Sequence, residues 1–198
     1  VLGGRINIAS GLVRFLCAGR EKVKMDHVGN IVRERKVALV GNADRLIKNP
    51  RTDICNYDVV VRINRGMEVA AQTGCDRTEL LLISAFTTRL CQFMSSGIPI
   101  AYMSPAKRDL IEPAHRDRLH YYPVEHWQEL FERIGIGLNR LHGVDMLSRL
   151  IGNGELHLYG FDFWNSPTSY NGINRPGPHN PNAEKRYALE VVGADNIH

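Results

Sequence analysis

The sequence predicts an α/β fold, a single domain built on a largely parallel sheet flanked by helices, and three features of the chain predict it. Five runs read as buried strands: Val37 to Leu46, Tyr57 to Asn64, Glu79 to Ser84, Pro99 to Met103 and Leu156 to Phe161. Segments with helical periodicity lie between them, and strands alternating with helices imply a parallel sheet covered on both faces. The first two runs deliver polar residues at their C-terminal ends, where strands of an open α/β sheet face a ligand crevice.

Taken in order, residues 1–36 form a basic N-terminal arm and residues 37–198 the domain proper. In the arm, Ile8, Leu12, Val13, Phe15 and Leu16 stand against Arg5, Arg14, Arg20, Lys22 and Lys24. Such an amphipathic segment is expected to pack on the sheet, with contact to a membrane surface as the alternative. Thr88 to Ser96 reads as helix, and Lys107 to Leu119 has helical charge patterning broken at Pro113. Val124, Trp127, Leu130, Phe131 and Ile134 fall on one helical face, which is core before it is anything else. Val144 to Ile151 reads as another helix, ended by Gly152 and Gly154. A loop over Asn165 to Asn182, rich in Pro, Gly, Asn and Ser, then leads into a terminal helix from Ala183 to Val192. Loops of that length in compact domains are usually functional or mobile.

The chain has 198 residues, enough for one domain with a sizeable core. Its net charge of +4 is too small an excess to argue for nucleic acid, and no alternation of aromatic and basic residues offers a stacking platform. An anionic small substrate suits the charge better. Cys17, Cys55, Cys75 and Cys91 show no Cys-x-x-Cys pair and no zinc-ligand spacing, so a reducing cytosol is the expected compartment. No stretch approaches the apolar length of a membrane span, and Arg14, Arg20 and Lys22 crowd the only apolar cluster near the start, unlike a signal peptide. The expectation is a cytoplasmic protein, at most peripheral to the inner face of the membrane.

The candidate chemistry begins at the strand ends. Gly41 lets the backbone turn closely past a nucleotide, while Asn42 and Asn64 supply amide donors and acceptors. The glycine fingerprint of dinucleotide folds is absent, so these residues alone fit an ordinary strand-turn equally well. No Asp-x-Asp pair is present: Asp162 has no second acid at that spacing and Asp53 stands alone.

Three segments in order carry a resemblance. Val37 to Leu46 with Arg62-Ile63-Asn64 resembles the long sialylmotif of the sialyltransferase family. Gly137 to Arg140 through Leu156-His-Leu-Tyr-Gly-Phe-Asp162 resembles the short motif, and His179 with Glu184 resembles the very short motif, a His with a Glu five residues on. Together they cover roughly residues 37 to 190. The Pro-Ser-Thr-Gly turn usual in the short motif is replaced by Gly137-Leu138-Asn139-Arg140. The third motif, His-Tyr-aromatic, is replaced by Thr168-Ser169-Tyr170, and the literal His120-Tyr121-Tyr122 lies too early in the chain.

The resemblance implies a Rossmann-like nucleotide-binding domain, a GT-A-like variant, and an inverting, metal-independent glycosyltransferase of bacterial type. Its donor would be a CMP-activated acidic sugar of the sialic acid or Kdo kind, and its acceptor a glycan or glycolipid of polysaccharide biosynthesis. By the same resemblance His179 is the general base; Glu184 would orient it or meet the helix N-terminus, and Asp162, directly after the last strand, would bond the acceptor sugar or orient the base. Gly41, Asn42, Arg45, Asn64, Asn139, Gly160, Phe161 and Tyr170 would hold the donor, with Asn174 and Arg175 as further loop candidates. Arg45 stands where the family often has a second Asn near the donor phosphate, a position from which a guanidinium offers charge-assisted hydrogen bonds. Animal members join the long and short motifs by a disulfide, for which the short-motif region of this chain has no cysteine. The rival reading is a non-catalytic nucleotide- or carbohydrate-binding protein on the same scaffold.

Overall fold

The computed structural model describes residues 25–84, 90–134, 141–163, 165–169 and 180–198. A helix over 25–32 (α1) precedes β1 (Lys36–Val40), α2 (Arg45–Lys48), a 3-10 turn over Thr52–Asn56 and β2 (Val59–Ile63). A 3-10 segment over Asn64–Thr73 leads to β3 (Leu80–Ile83), α3 (Leu90–Ser95), β4 (Ile100–Tyr102), a 3-10 turn over Pro105–Leu110, α4 (Pro113–Arg116) and β5 (His120–Tyr121). Then come α5 (Val124–Ile134), α6 (Leu141–Leu150), β6 (Glu155–Tyr159), α7 (Pro181–Val192) and a final turn over Ala194–Asn196.

The six strands form one sheet in the order β5-β4-β3-β2-β1-β6, and every pairing is parallel. Strands β1 to β5 step outward in one direction, whereas β6 returns to the opposite side of β1. The strand order therefore reverses between β1 and β6, which is where open α/β sheets form their binding crevice. Each strand is too apolar to leave a face in water. Val37, Leu39, Val61 and Leu82 pack under α1, α5, α6 and α7, while Val40, Val60, Leu81 and Tyr102 pack under α2, α3 and the 3-10 segments. Helix α6 approaches closely because it presents Gly143, at which a Cβ would stand 2.7 Å from Leu82 Cδ1.

Several elements differ from expectation. Residues 25–32 of the basic arm belong to the core, with Met25, Val28 and Val32 buried against the sheet. The charge-patterned stretch from Lys107 is a 3-10 turn and then the single turn of α4, because Pro113 starts a helix and cannot continue one. Strand β5 has two residues, too few to show a pattern. The reading of the cysteines as unpaired is corrected: Cys55 and Cys75 form a disulfide. They meet because the Arg51 N–H bonds the Thr73 carbonyl at 2.8 Å, and Gly74, at φ +93, passes against the Arg51 backbone. The cysteine argument for a reducing compartment thus finds no support in the fold.

Beside that disulfide lies Arg62, the largest fully buried side chain. Its Nε donates to the Arg77 carbonyl at 3.1 Å and its Nη2 to Thr73 Oγ1 at 3.3 Å and to the Cys75 carbonyl. Burial pulls its guanidinium down to about 10, so it stays charged at neutral pH. The loop from Thr73 to Arg77 thus closes over a cation set in the middle of the sheet. On the other face, Asp145 of α6 accepts from Tyr122 Oη at 2.5 Å, Tyr187 Oη at 2.7 Å and Arg149 Nε at 2.8 Å, fastening α7 to α6 and to the end of β5. Burial and this carboxylate raise the pKa of both phenols, keeping them protonated donors.

Replacing Arg62 by Met would take the guanidinium donors from the carbonyls of Cys75 and Arg77, leaving them the Thr73 hydroxyl at 3.4 Å and the Thr78 hydroxyl at 2.8 Å. A loss of roughly 1–3 kcal/mol in urea unfolding is expected, the usual scale for lost buried hydrogen bonds.

Candidate functional site

The carboxyl edge of the sheet carries a polar residue at or just after the end of five strands: Asn42, Asn64, Ser84, Ser104 and Asp162. Hydrogen bonds stitch the first four in sequence. Asn42 Nδ2 donates to the Ile63 carbonyl at 3.2 Å, the Ser84 N–H donates to Asn64 Oδ1 at 2.8 Å, and Ser104 Oγ donates to the Ser84 carbonyl. Asn64 sits at φ +50, a left-handed conformation that Asn tolerates better than most residues. It thereby turns the chain out of β2 while its side chain reaches across to β3.

At the switch point, β1 and β6 come together through glycine. A Cβ on Gly41 would lie 2.6 Å from the Gly160 carbonyl oxygen and 3.1 Å from the Phe161 ring, so no larger residue fits. Beyond this contact the chain after β6 folds over the tip of β1. Ala43 N–H donates to the Gly160 carbonyl at 3.3 Å, Asp44 N–H to Pro167 at 2.9 Å and Ser169 N–H to Asn42 at 2.8 Å, and Ala43 forms an antiparallel bridge with Thr168. Asp162 stands between two left-handed residues, Gly160 at φ +67 and Phe163 at φ +53. For a bulky residue such as Phe163 this is a genuine outlier, and strain of this kind concentrates at functional sites.

Two buried acceptor atoms in this edge lack a donor among the described residues. Asn42 is 3% exposed and its Oδ1 is unpaired; Asp162 is 8% exposed, and while Oδ2 accepts from Ser166 Oγ, Oδ1 accepts nothing. Buried oxygens are ordinarily satisfied, so these ask for donors from a ligand or water.

Helix α7 carries Glu184 of the very short motif. Its last residues, Val191 and Val192, line one cleft with Glu155 and Leu156 at the start of β6, and Ile197 pairs in parallel with Leu158. Its twelve residues extend about 18 Å, which carries its first turn back along β6 to the carboxyl end. Asn180 caps that end by accepting from the Ala183 N–H at 3.2 Å, Pro181 fills the first helical position, and Glu184 lies buried in the first turn at 2% exposure.

The structure thus gathers Gly41, Asn42, Asn64, Gly160, Phe161 and Asp162 at the sheet's carboxyl edge, and places Glu184 in the first turn of α7. Arg45 is directed elsewhere. Its Nη2 donates to the His198 carbonyl at 2.8 Å, in a surface pocket it shares with Leu46, Asn49 and Arg51. His179, Asn139, Tyr170, Asn174 and Arg175 lie outside the described residues. Ser84, Ser104 and Ser166 escaped the reading of the sequence, and Thr168 entered it only at the place of the third motif. The two serines after β3 and β4 repeat the signal that drew attention to Asn42 and Asn64, an apolar run stopped by a small polar residue. Ser166 and Thr168 carry no such signal. Among the described residues no group of three or more His, Cys, Asp or Glu is placed to hold a metal ion, and no helix is long and apolar enough to cross a membrane. No family model matches the chain, and no curated protein matches it.

Gly41→Ala must push β1 and β6 apart at backbone atoms. The expected cost is about 1–3 kcal/mol in urea unfolding, as for other overpacked sites, with loss of whatever ligand stabilisation the wild-type protein shows.

Proposed function

We propose that this chain is a sialyltransferase-like glycosyltransferase on a Rossmann-like, GT-A-like domain. It would transfer an acidic sugar from a CMP-activated donor, with inversion and without a metal ion, to a glycan or glycolipid. The observation that carries the reading is the pair of donor-starved oxygens, Asn42 Oδ1 and Asp162 Oδ1, at the carboxyl ends of the strands flanking the switch point. A sugar nucleotide brings hydroxyls and a base amino group, which are hydrogen-bond donors of the kind these oxygens want. The three sequence motifs in family order support the same reading.

In the proposed reaction an acceptor hydroxyl attacks the anomeric carbon while His179 takes its proton and CMP departs. Histidine is suited to this because it titrates near neutrality. In the chain His179 directly precedes Asn180, the cap of α7. CMP carries one phosphate, needing less neutralisation than a diphosphate. The absent third-motif histidine favours one other reading, a non-catalytic binding protein for the same nucleotide.

CMP is expected to raise the melting temperature more than UMP or GMP, with the shift surviving EDTA. Equal shifts from all three nucleotides would remove the donor assignment. Asn42→Ala should weaken CMP binding by roughly 1–2 kcal/mol, measured calorimetrically. Asn42 gives up one bond of the fold, to the Ile63 carbonyl, whereas Asn64 would lose both its left-handed backbone preference and its bond to Ser84.

His179→Ala separates enzyme from binding protein. CMP affinity should hold while CMP release in the presence of acceptor falls by about 10²-fold or more, the loss typical of a removed general base. Full activity in that variant would move the base to Asp162.

A further inference from the structure

Away from the sheet edge, α3 and α4 bring a free thiol against an imidazole. Cys91 lies on the exposed side of α3 and is not disulfide-bonded, and its Sγ stands 3.2 Å from His115 Nε2 on α4. The same nitrogen lies 3.5 Å from Glu112 Oε2, the residue that precedes α4. The pairing is held from below: Leu90, Phe93 and Met94 of α3 share a buried cluster with Ile111 and Leu119, which flank α4. It is also held from the side, where the Arg118 guanidinium donates to the Met94 carbonyl at 2.9 Å and Arg116 Nε to the Ile111 carbonyl at 2.8 Å. Two short helices are therefore fixed in register, with their nucleophile and base at hydrogen-bond distance on a face open to solvent.

The geometry points to Cys91 as an activated thiol that exchanges with low-molecular-mass disulfides, with His115 as its base. An isolated cysteine at neutral pH is mostly thiol and reacts slowly, whereas an adjacent imidazole can take the proton and leave the thiolate that attacks. Here the thiol proton passes to His115 Nε2, and Sγ attacks one sulfur of the incoming disulfide. A new S–S bond forms on Cys91 as the reagent's S–S bond breaks, and the departing thiolate takes the proton from the imidazolium. The incoming disulfide is the oxidant and no other is required. Glu112 faces the imidazole from one side, and Arg116 and Arg118 are the cations on the same strap. The site is separate from the carboxyl edge and independent of the glycosyltransferase reading.

The test uses the full chain carrying Cys17→Ser, so that Cys91 is the reactive thiol beside the Cys55–Cys75 pair. Reaction with 5,5′-dithiobis(2-nitrobenzoate) is followed by stopped flow across pH, and glutathione disulfide adducts are located by peptide mapping. At neutral pH His115→Gln should slow the reaction about tenfold or more. The two proteins should converge in rate above about pH 9, where an ordinary thiol ionises unaided. Glu112→Gln should change the rate less than about fivefold, the small effect of an exposed ion pair. Glutathione should be found on Cys91, and Cys91→Ser should abolish the adduct. Identical rates and pH profiles for wild type and His115→Gln would overturn the proposal, as would an adduct absent from Cys91 or a native disulfide joining Cys91 to Cys17 in the unmutated chain.

Discussion

The fold depends on a problem that every doubly covered parallel sheet faces: its strands are buried on both sides, so their ends must satisfy polar backbone where apolar neighbours offer nothing. Here the solution is a row of small polar side chains, each reaching to the next strand. Asn42 satisfies the end of β2, Asn64 the start of the chain beyond β3, and Ser104 the Ser84 carbonyl. The row fixes the relative height of four strand ends and so determines the floor of the crevice. It also explains why Asn64 adopts a left-handed backbone: only from there does its amide reach Ser84 while the chain turns back into the 3-10 segment.

The other half of the crevice obeys a steric rule. Gly41 and Gly160 bring β1 and β6 closer than any side chain would permit, and the loop after β6 then hydrogen-bonds onto residues 42–44. Strand end and covering loop are thus one unit, and a ligand inserted there would touch both. Helix α7 enters the same region with its position set from a distance by Tyr187 and Tyr122 on Asp145. Glu184 is therefore positioned by buried polar contacts made farther along its helix.

What the sequence made legible was whatever a local pattern encodes. Strands β1 to β4 and β6 appear as apolar runs, and α5 occupies the Val124–Ile134 span that its periodicity marks. The terminal helix read from Ala183 begins two residues earlier, at Pro181 after the Asn180 cap. What stayed hidden is long-range. The Cys55–Cys75 bond joins residues 20 apart that carry no motif, and it forms only because the segment after β2 returns to Arg51. Arg62 looked like one member of a family pattern, and nothing local announced that it would be sealed beneath the loop at Thr73 to Arg77. Arg45 was plausible as an anion partner by position alone, but α2 turns its guanidinium to the His198 carbonyl. Among the site residues, Asn42, Asn64 and Asp162 were found because strand ends are predictable, though Ser84 and Ser104 carry the same signal; Ser166 was missed because its importance arises from how a loop folds back.

The distribution of hydrogen-bonding capacity in the crevice bears on the chemistry proposed for it. Its described side chains leave acceptors open, Asn42 Oδ1 and Asp162 Oδ1, whereas Asn42 Nδ2 is already committed to Ile63 and Arg45 to His198. Acceptors recognise hydroxyls and amines, and do nothing for a phosphate, which needs donors or positive charge. On the proposed reading, then, the strand ends address the sugar and base portions of the donor. The phosphate is then left to the first turn of α7 and to residues outside the described part of the chain, Asn139, Tyr170, Asn174 and Arg175. On that reading the acceptor hydroxyl must face His179, which takes its proton, while the phosphate departs from the opposite side of the anomeric carbon, so nucleotide binding and proton transfer rest on different residues, as an inverting displacement requires.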